Sequence, residues 1–281
     1  MKSRIIYFII IIFSISLTGT CKKNEISTKE LLKQFQGTDY RKKTRAAEML
    51  MYRKHPEAKV YFQKLFIKGD FYQKLRAAKN LGPELDNKSL KVLLKMLTYD
   101  SPYTKRSLKF HLDPFEKSNK TFEMIIRKIK LGKNTKTDKK NEAIVRVLGY
   151  VKSKDSLPYI VALLNSDFFN VRHAAKYALV NIGLVALPLL EKEYKRFPRH
   201  PLHGSTIIME TLGAYKNKKT IPLLIKGLGD SNFFARIEAK KGLIALGSVA
   251  KPHVKKALKS DNERVRKQAK EVFKKIKYKF F

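Results

Sequence analysis

The hydrophobic positions of this chain recur with two periods at once, a helical one inside segments and a longer one of about 31 residues between them. Leu157-Pro158-Tyr159-Ile160-Val161-Ala162-Leu163-Leu164, Ile221-Pro222-Leu223-Leu224-Ile225-Lys226-Gly227-Leu228 and Lys251-Pro252-His253-Val254-Lys255-Lys256-Ala257-Leu258 each read as a short helix. Pro stands in the first turn, where its missing N–H breaks no hydrogen bond. Ala186-Leu187-Pro188-Leu189-Leu190 supplies a fourth such helix. The first three are each followed by an Asp and then by an Arg in a second apolar-periodic segment: Asp167 with Arg172, Asp230 with Arg236, Asp261 with Arg266. Alignment on that Arg gives eight copies, at Lys43, Lys74, Lys105, Asn141, Arg172, Ser205, Arg236 and Arg266, spaced by 31, 31, 36, 31, 33, 31 and 30 residues. Three residues further on stand Ala46, Ala77, Leu108, Ile144, Ala175, Ile208, Ala239 and Ala269. Seven further on stand Leu50, Leu81, Leu112, Leu148, Leu179, Leu212, Leu243 and Phe273. All sixteen are apolar, and an i, i+4 spacing sets them on one helical face. One helical pair cannot bury that face alone, so pairs must stack; the pattern predicts an all-α solenoid of about eight helical pairs.

The pattern resembles HEAT repeats, in particular the shorter HEAT-like type of the phycobilin lyases. The features that carry the resemblance are the first-helix Pro, the Asp before the second helix, the Arg or Lys after it, the Ala174-Ala175 pair, and a closing Gly such as Gly149, Gly183, Gly213 or Gly247. It covers residues 29–277 and is strongest over 155–276; a lysine-rich loop, Lys128 to Lys140, and a Pro-rich turn, Phe197 to Pro201, interrupt the regularity. The resemblance implies that second helices line a concave side and that partners dock there.

The chain opens on the basic Met1-Lys2-Ser3-Arg4 and an apolar run from Ile5 to Leu17, about the length of a signal-peptide core and short for a membrane span. Leu17-Thr18-Gly19-Thr20-Cys21 follows, and Cys21 is the only cysteine. The segment resembles a bacterial lipoprotein signal, in which cleavage before the cysteine is followed by lipidation of its sulfur. It departs from the usual motif: Leu17 lies four residues before Cys21 rather than three, and Thr20 replaces a small Gly or Ala. An ordinary cleaved signal and an uncleaved anchor are the other readings, and under all three the body works outside the cytoplasm. The expected organisation is a signal peptide over 1–20, a tether over 21–28 and a repeat domain over 29–281.

Lys and Arg number 61 against 24 Asp and Glu, a formal charge of +37, which favours anionic partners. Positions on the second helices outside the predicted core give Arg106, Lys109, Arg146, His173, Lys176, Tyr177, Lys240, Lys241, Lys267 and Lys270. These are the candidate partner-binding residues, a basic and partly aromatic stripe. The recurring Asp–basic pairs, which include Asp39 with Lys43, Asp70 with Lys74 and Asp100 with Lys105, read instead as scaffold. There Asp caps the second helix and binds the basic side chain.

Catalytic constellations are missing from the pattern. His200 and His203 are the only histidines close together, without further ligands nearby, so no metal is expected. There is no His-Glu dipeptide of the kind HEAT-type hydroxylases use for iron, no nucleophile elbow, no phosphate-cradling Gly-rich loop, and no cofactor is expected. The expected function is therefore non-catalytic. It is a membrane-anchored envelope lipoprotein, facing the periplasm or the cell exterior, whose solenoid serves as a scaffold for acidic protein partners. The alternative is a binder of anionic polymers or lipids through a basic concave face; export disfavours nucleic acid, and an enzyme of the lyase class is the least supported reading.

Overall fold

The computed structural model describes residues 26–97, 135–196 and 204–278, and those residues form an α-solenoid. Cys21, Arg106, Lys109, the pair Asp100 and Lys105, His200, His203 and the apolar N-terminal run lie outside them. Two units are distinguished, residues 1–55 and 56–281. In the first, α1 (Thr28–Gln36) packs against α2 (Tyr40–Tyr52). Arg53 ties their ends by donating to the Thr28 hydroxyl at 2.9 Å and to the Ile26 carbonyl at 2.8 Å.

The second unit holds α3 (Pro56–Lys68), α4 (Phe71–Leu81), α5 (Asn87–Met96), α6 (Thr135–Val151), α7 (Leu157–Leu163), α8 (Phe169–Ile182), α9 (Leu187–Lys195), α10 (Gly204–Ala214), α11 (Ile221–Gly227), α12 (Phe233–Leu246), α13 (Lys251–Ala257) and α14 (Glu263–Tyr278). No strand occurs among the described residues. The longer second helices form one layer in which α4 packs on α6, α6 on α8, α8 on α10, α10 on α12 and α12 on α14. Neighbours run parallel. At one end Lys140 lies over the Phe71 ring at 5.4 Å, and at the other Lys79 lies over Tyr150 at 5.2 Å. The copy at Lys105, with its Leu108 and Leu112, falls outside the described residues.

Burial follows the repeat register closely. Ala46, Ala77, Ile144, Ala175, Ile208, Ala239 and Ala269 are all buried, and so are Leu50, Leu81, Leu148, Leu179, Leu212 and Leu243. Phe273 departs from the expectation: it is only half-buried, and Val272 and Ile276 take the core positions of α14 beside Val265 and Ala269.

Second helices end in a left-handed residue, which turns the chain toward the next pair. Gly82, Gly183 and Gly247 do this at φ +52°, +97° and +56°, and Lys54, Lys152 and Lys216 do it at +58°, +54° and +48°. Gly149 and Gly213 have a different role from the closing one expected of them. Both lie inside helices, where the backbones of neighbouring second helices touch. A Cβ on Gly149 would stand 2.8 Å from the Ala178 Cα, and one on Gly213 would stand 3.1 Å from the Gly242 Cα. Pro158, Pro188, Pro222 and Pro252 sit in the first turns of α7, α9, α11 and α13, as the sequence predicts.

The recurring basic residue is scaffold, and it holds backbone carbonyls of the turn before the second helix. Arg172 donates to the carbonyls of Ser166 and Asp167 at 2.7 and 2.9 Å, Arg236 to those of Asp230 and Ser231 at 2.8 and 2.9 Å, and Arg266 to those of Ser260 and Asp261 at 2.7 and 2.9 Å. Lys74 does the same to Phe66 and Ile67, both at 2.7 Å. Carbonyls in a turn between helices have no helical partner, and the arginines satisfy them; Lys74 does so for carbonyls in the last turn of α3, where a cation also suits the helix dipole. Asp caps the second helix only in the early copies, at Asp39 and at Asp70, where Gln73 completes a capping box. Later copies use Asn232 and Asn262. This leaves the Asp230 carboxylate to accept from the Tyr194 hydroxyl at 2.8 Å, a bond that bridges successive pairs.

Candidate interaction face

The exposed side of the second-helix layer is where the sequence sets its stripe, and the layer does gather Arg146, His173, Lys176, Tyr177, Lys240, Lys241, Lys267 and Lys270. Their electrostatics differ from those of a free basic surface. Lys176 is 6 % exposed and pairs with Glu210 of the next helix at 2.6 Å, while its ammonium lies 4.3 Å from the Tyr177 ring centre. Lys240 reaches Glu271 on α14 at 2.7 Å, so two of the predicted contact residues are cross-braces between second helices. Arg146 holds Glu142 at 2.8 Å and Lys241 holds Glu238 at 2.7 Å, each on its own helix. The basic stripe of the expectation is therefore partly neutralised. Acids at Glu142, Glu210, Glu238 and Glu271 balance it, and only Lys267 and Lys270 stand exposed without an ion pair among the described residues.

What the layer exposes instead is aromatic. Phe169, His173 and Tyr177 follow at i, i+4 and i+8 on α8, which sets them on one helical face. Phe169 is 62 % exposed and Tyr177 52 % exposed, and the Phe169 and His173 rings meet with centroids 4.0 Å apart. The Arg172 guanidinium lies 5.9 Å from the Phe169 ring centre, and Arg236 lies 5.5 Å from Phe233 on α12. Phe233 and Phe234 are also exposed, at the first turn of α12. Partial burial holds the His173 imidazole below the ordinary histidine range, helped by Lys176 and Arg172 and opposed by Glu210. At neutral pH the stripe on α8 is consequently uncharged at its centre.

Sequence reasoning found His173 and Tyr177 but missed Phe169. The same i, i+4 count that defined the core carries back from His173 to Phe169 and could have found it. Among the described residues no group of three or more His, Cys, Asp or Glu side chains could hold a metal ion. A cleft of about 530 Å³ is lined by Tyr194, Lys226, Asp230, Ser231, Ser260 and Asn262, among others. Its polar groups are those that join the α9, α11 and α13 turns, and they show no paired acid and base.

Residues 205–274, which hold the last three copies, match the family model of HEAT repeats. The match supports the HEAT-repeat assignment over that segment. No curated protein sequence matches the chain. A solved structure of human deoxyhypusine hydroxylase in complex with glycerol is similar over 89% of this chain and 96% of that one, at 12% identity and a TM-score of 0.32.

Proposed function

We propose that this protein is a non-catalytic scaffold of the bacterial cell envelope, held at the membrane by a lipid on Cys21, which docks an acidic protein partner on its second-helix layer. One observation carries the docking reading: the exposed Phe169–His173–Tyr177 stripe on α8, set in a layer whose charges are paired among themselves. Aromatic side chains lose little rotamer freedom on binding and dominate interface energies, whereas exposed, already paired charges add little. Phe233 and Phe234 extend the aromatic surface, and the excess of Lys and Arg over Asp and Glu favours an acidic partner. The anchor rests on the apolar run before Cys21 and on the position of that cysteine.

Pull-down from envelope extract tests both parts. Phe169→Ser with Tyr177→Ser is expected to weaken retention of the partner by about 30-fold or more, the scale of two hot-spot residues. Retention by the wild type is expected to survive salt of about 0.3 M, because the contact is mainly apolar. Complete loss of every retained protein at that salt, with no effect of the double substitution, counts against docking on α8. Cys21→Ser is expected to move the protein from the membrane fraction to the soluble one and to abolish labelling by radioactive palmitate. Persistent labelling would show that Cys21 is not the anchor.

A further inference from the structure

We infer that the last helical pair, α13 and α14, forms a rigid basic plate that lies on an anionic phospholipid surface. Residues 251–278 contain eleven Lys or Arg and three acids, whereas α8 and α10 together hold two and one. The buried stripes of this pair are Val254 and Ala257 on α13 and Val265, Ala269, Val272 and Ile276 on α14. Lys267, Lys270 and Lys274 lie on the side of α14 opposite its stripe, Lys256 stands at the end of α13, and Lys259 in the turn that joins the two helices. All five are exposed, and none forms an ion pair among the described residues. By contrast Lys176, Lys240 and Lys241 are each committed to a glutamate.

A terminal repeat needs a polar outer face to stay soluble, but mixed charge supplies that; a surface of one sign does more. No large hydrophobic side chain is exposed between residues 250 and 276, so the plate offers charge without apolar wedges. On α14, about 24 Å long, Lys267, Lys270 and Lys274 follow one face in line rather than lining a groove that would follow a flexible polymer. Lysines near an anionic leaflet attract additively and without side-chain specificity, which suits a planar array of mobile headgroups. A single lipid chain holds a protein only marginally, and a polybasic surface supplies the second signal; that link alone rests on the anchor proposed above.

Co-sedimentation of the full chain with vesicles tests the plate, comparing phosphatidylcholine alone with a mixture holding about 30% phosphatidylglycerol. Binding to the neutral vesicles reads the apolar N-terminal run, and the excess on anionic vesicles reads the plate, so the two readings fail separately. Replacing Lys256, Lys259, Lys267, Lys270 and Lys274 by Gln is expected to reduce the anionic excess by at least about 30-fold. The control replaces Lys64, Lys68, Lys88, Lys91 and Lys95 by Gln, has the same net charge, and is expected to change it less than about 3-fold. Matching helical melts of both variants exclude unfolding. An equal loss in the control means that only total charge matters and overturns the plate, as does an anionic excess that neither variant alters. Tighter binding of soluble polyphosphate than of the anionic vesicles assigns the plate to a polymer and overturns the membrane.

Discussion

His173 lies between two exposed rings and two cations, and its ionisation is set by that placement. Burial is the main cause that holds its pKa below the ordinary value of 6.5, Lys176 and Arg172 add to it, and Glu210 opposes. Above that value residue 173 is neutral in both folded and unfolded chains and contributes nothing to pH dependence. As pH falls, the unfolded chain takes up the proton first, so stability is lost from about pH 6.5 down to the depressed folded pKa. His173→Gln is therefore expected to flatten the fall in urea midpoint between pH 7 and pH 5 relative to the wild type. A steeper fall in the variant would show that Glu210 outweighs burial.

At the scale of elements, the layer is built on close contact between second helices, and two glycines set how close. Gly149 faces the Ala178 backbone and Gly213 faces Gly242. Alanine is the better helix former by about 1 kcal/mol, which on propensity alone predicts a gain from substitution. The Cβ of Gly149→Ala would stand 2.8 Å from a backbone atom that no side-chain rotation can move away. Overpacking of this kind costs about 1–3 kcal/mol, so the expected net effect is destabilisation, visible as a lower thermal midpoint. An unchanged or raised midpoint would mean that α6 and α8 separate without loss. The arginine brackets belong to this scale too. They fix each first helix to its second by satisfying backbone carbonyls, a bond that salt and side-chain motion disturb less than a surface ion pair.

For the whole molecule, a charge of +37 sets the balance between self-repulsion and local pairing. Lys176–Glu210, Lys240–Glu271, Lys241–Glu238 and Arg146–Glu142 use only a few of the 61 basic residues. Long-range repulsion therefore outweighs the attraction that salt screens at those pairs. Thermal unfolding is expected to shift upward by a few degrees between about 20 mM and about 0.3 M sodium chloride, where the Debye length falls well below the size of the molecule. A downward shift would show that the inter-helix ion pairs, rather than repulsion, govern stability. Among the described residues no single helix is long and apolar enough to cross a membrane.

The sequence by itself determined the solenoid, because its core is local: each apolar pair at i and i+4 repeats about every 31 residues, and that period specifies helix, pair and stack together. It also placed the first-helix prolines and the scaffold role of the basic residue. The bonding of that residue was not legible. The Ser166 and Asp167 carbonyls that Arg172 holds belong to a turn whose backbone geometry the residue pattern does not specify. Tertiary structure alone decided which lysines are free. Glu210 and Glu271 stand 34 and 31 residues from the lysines they hold, a separation that side-chain spacing on one helix cannot reveal. The basic stripe thus became a braced layer with an aromatic stripe on α8, while Lys267, Lys270 and Lys274 of α14 form no ion pair among the described residues.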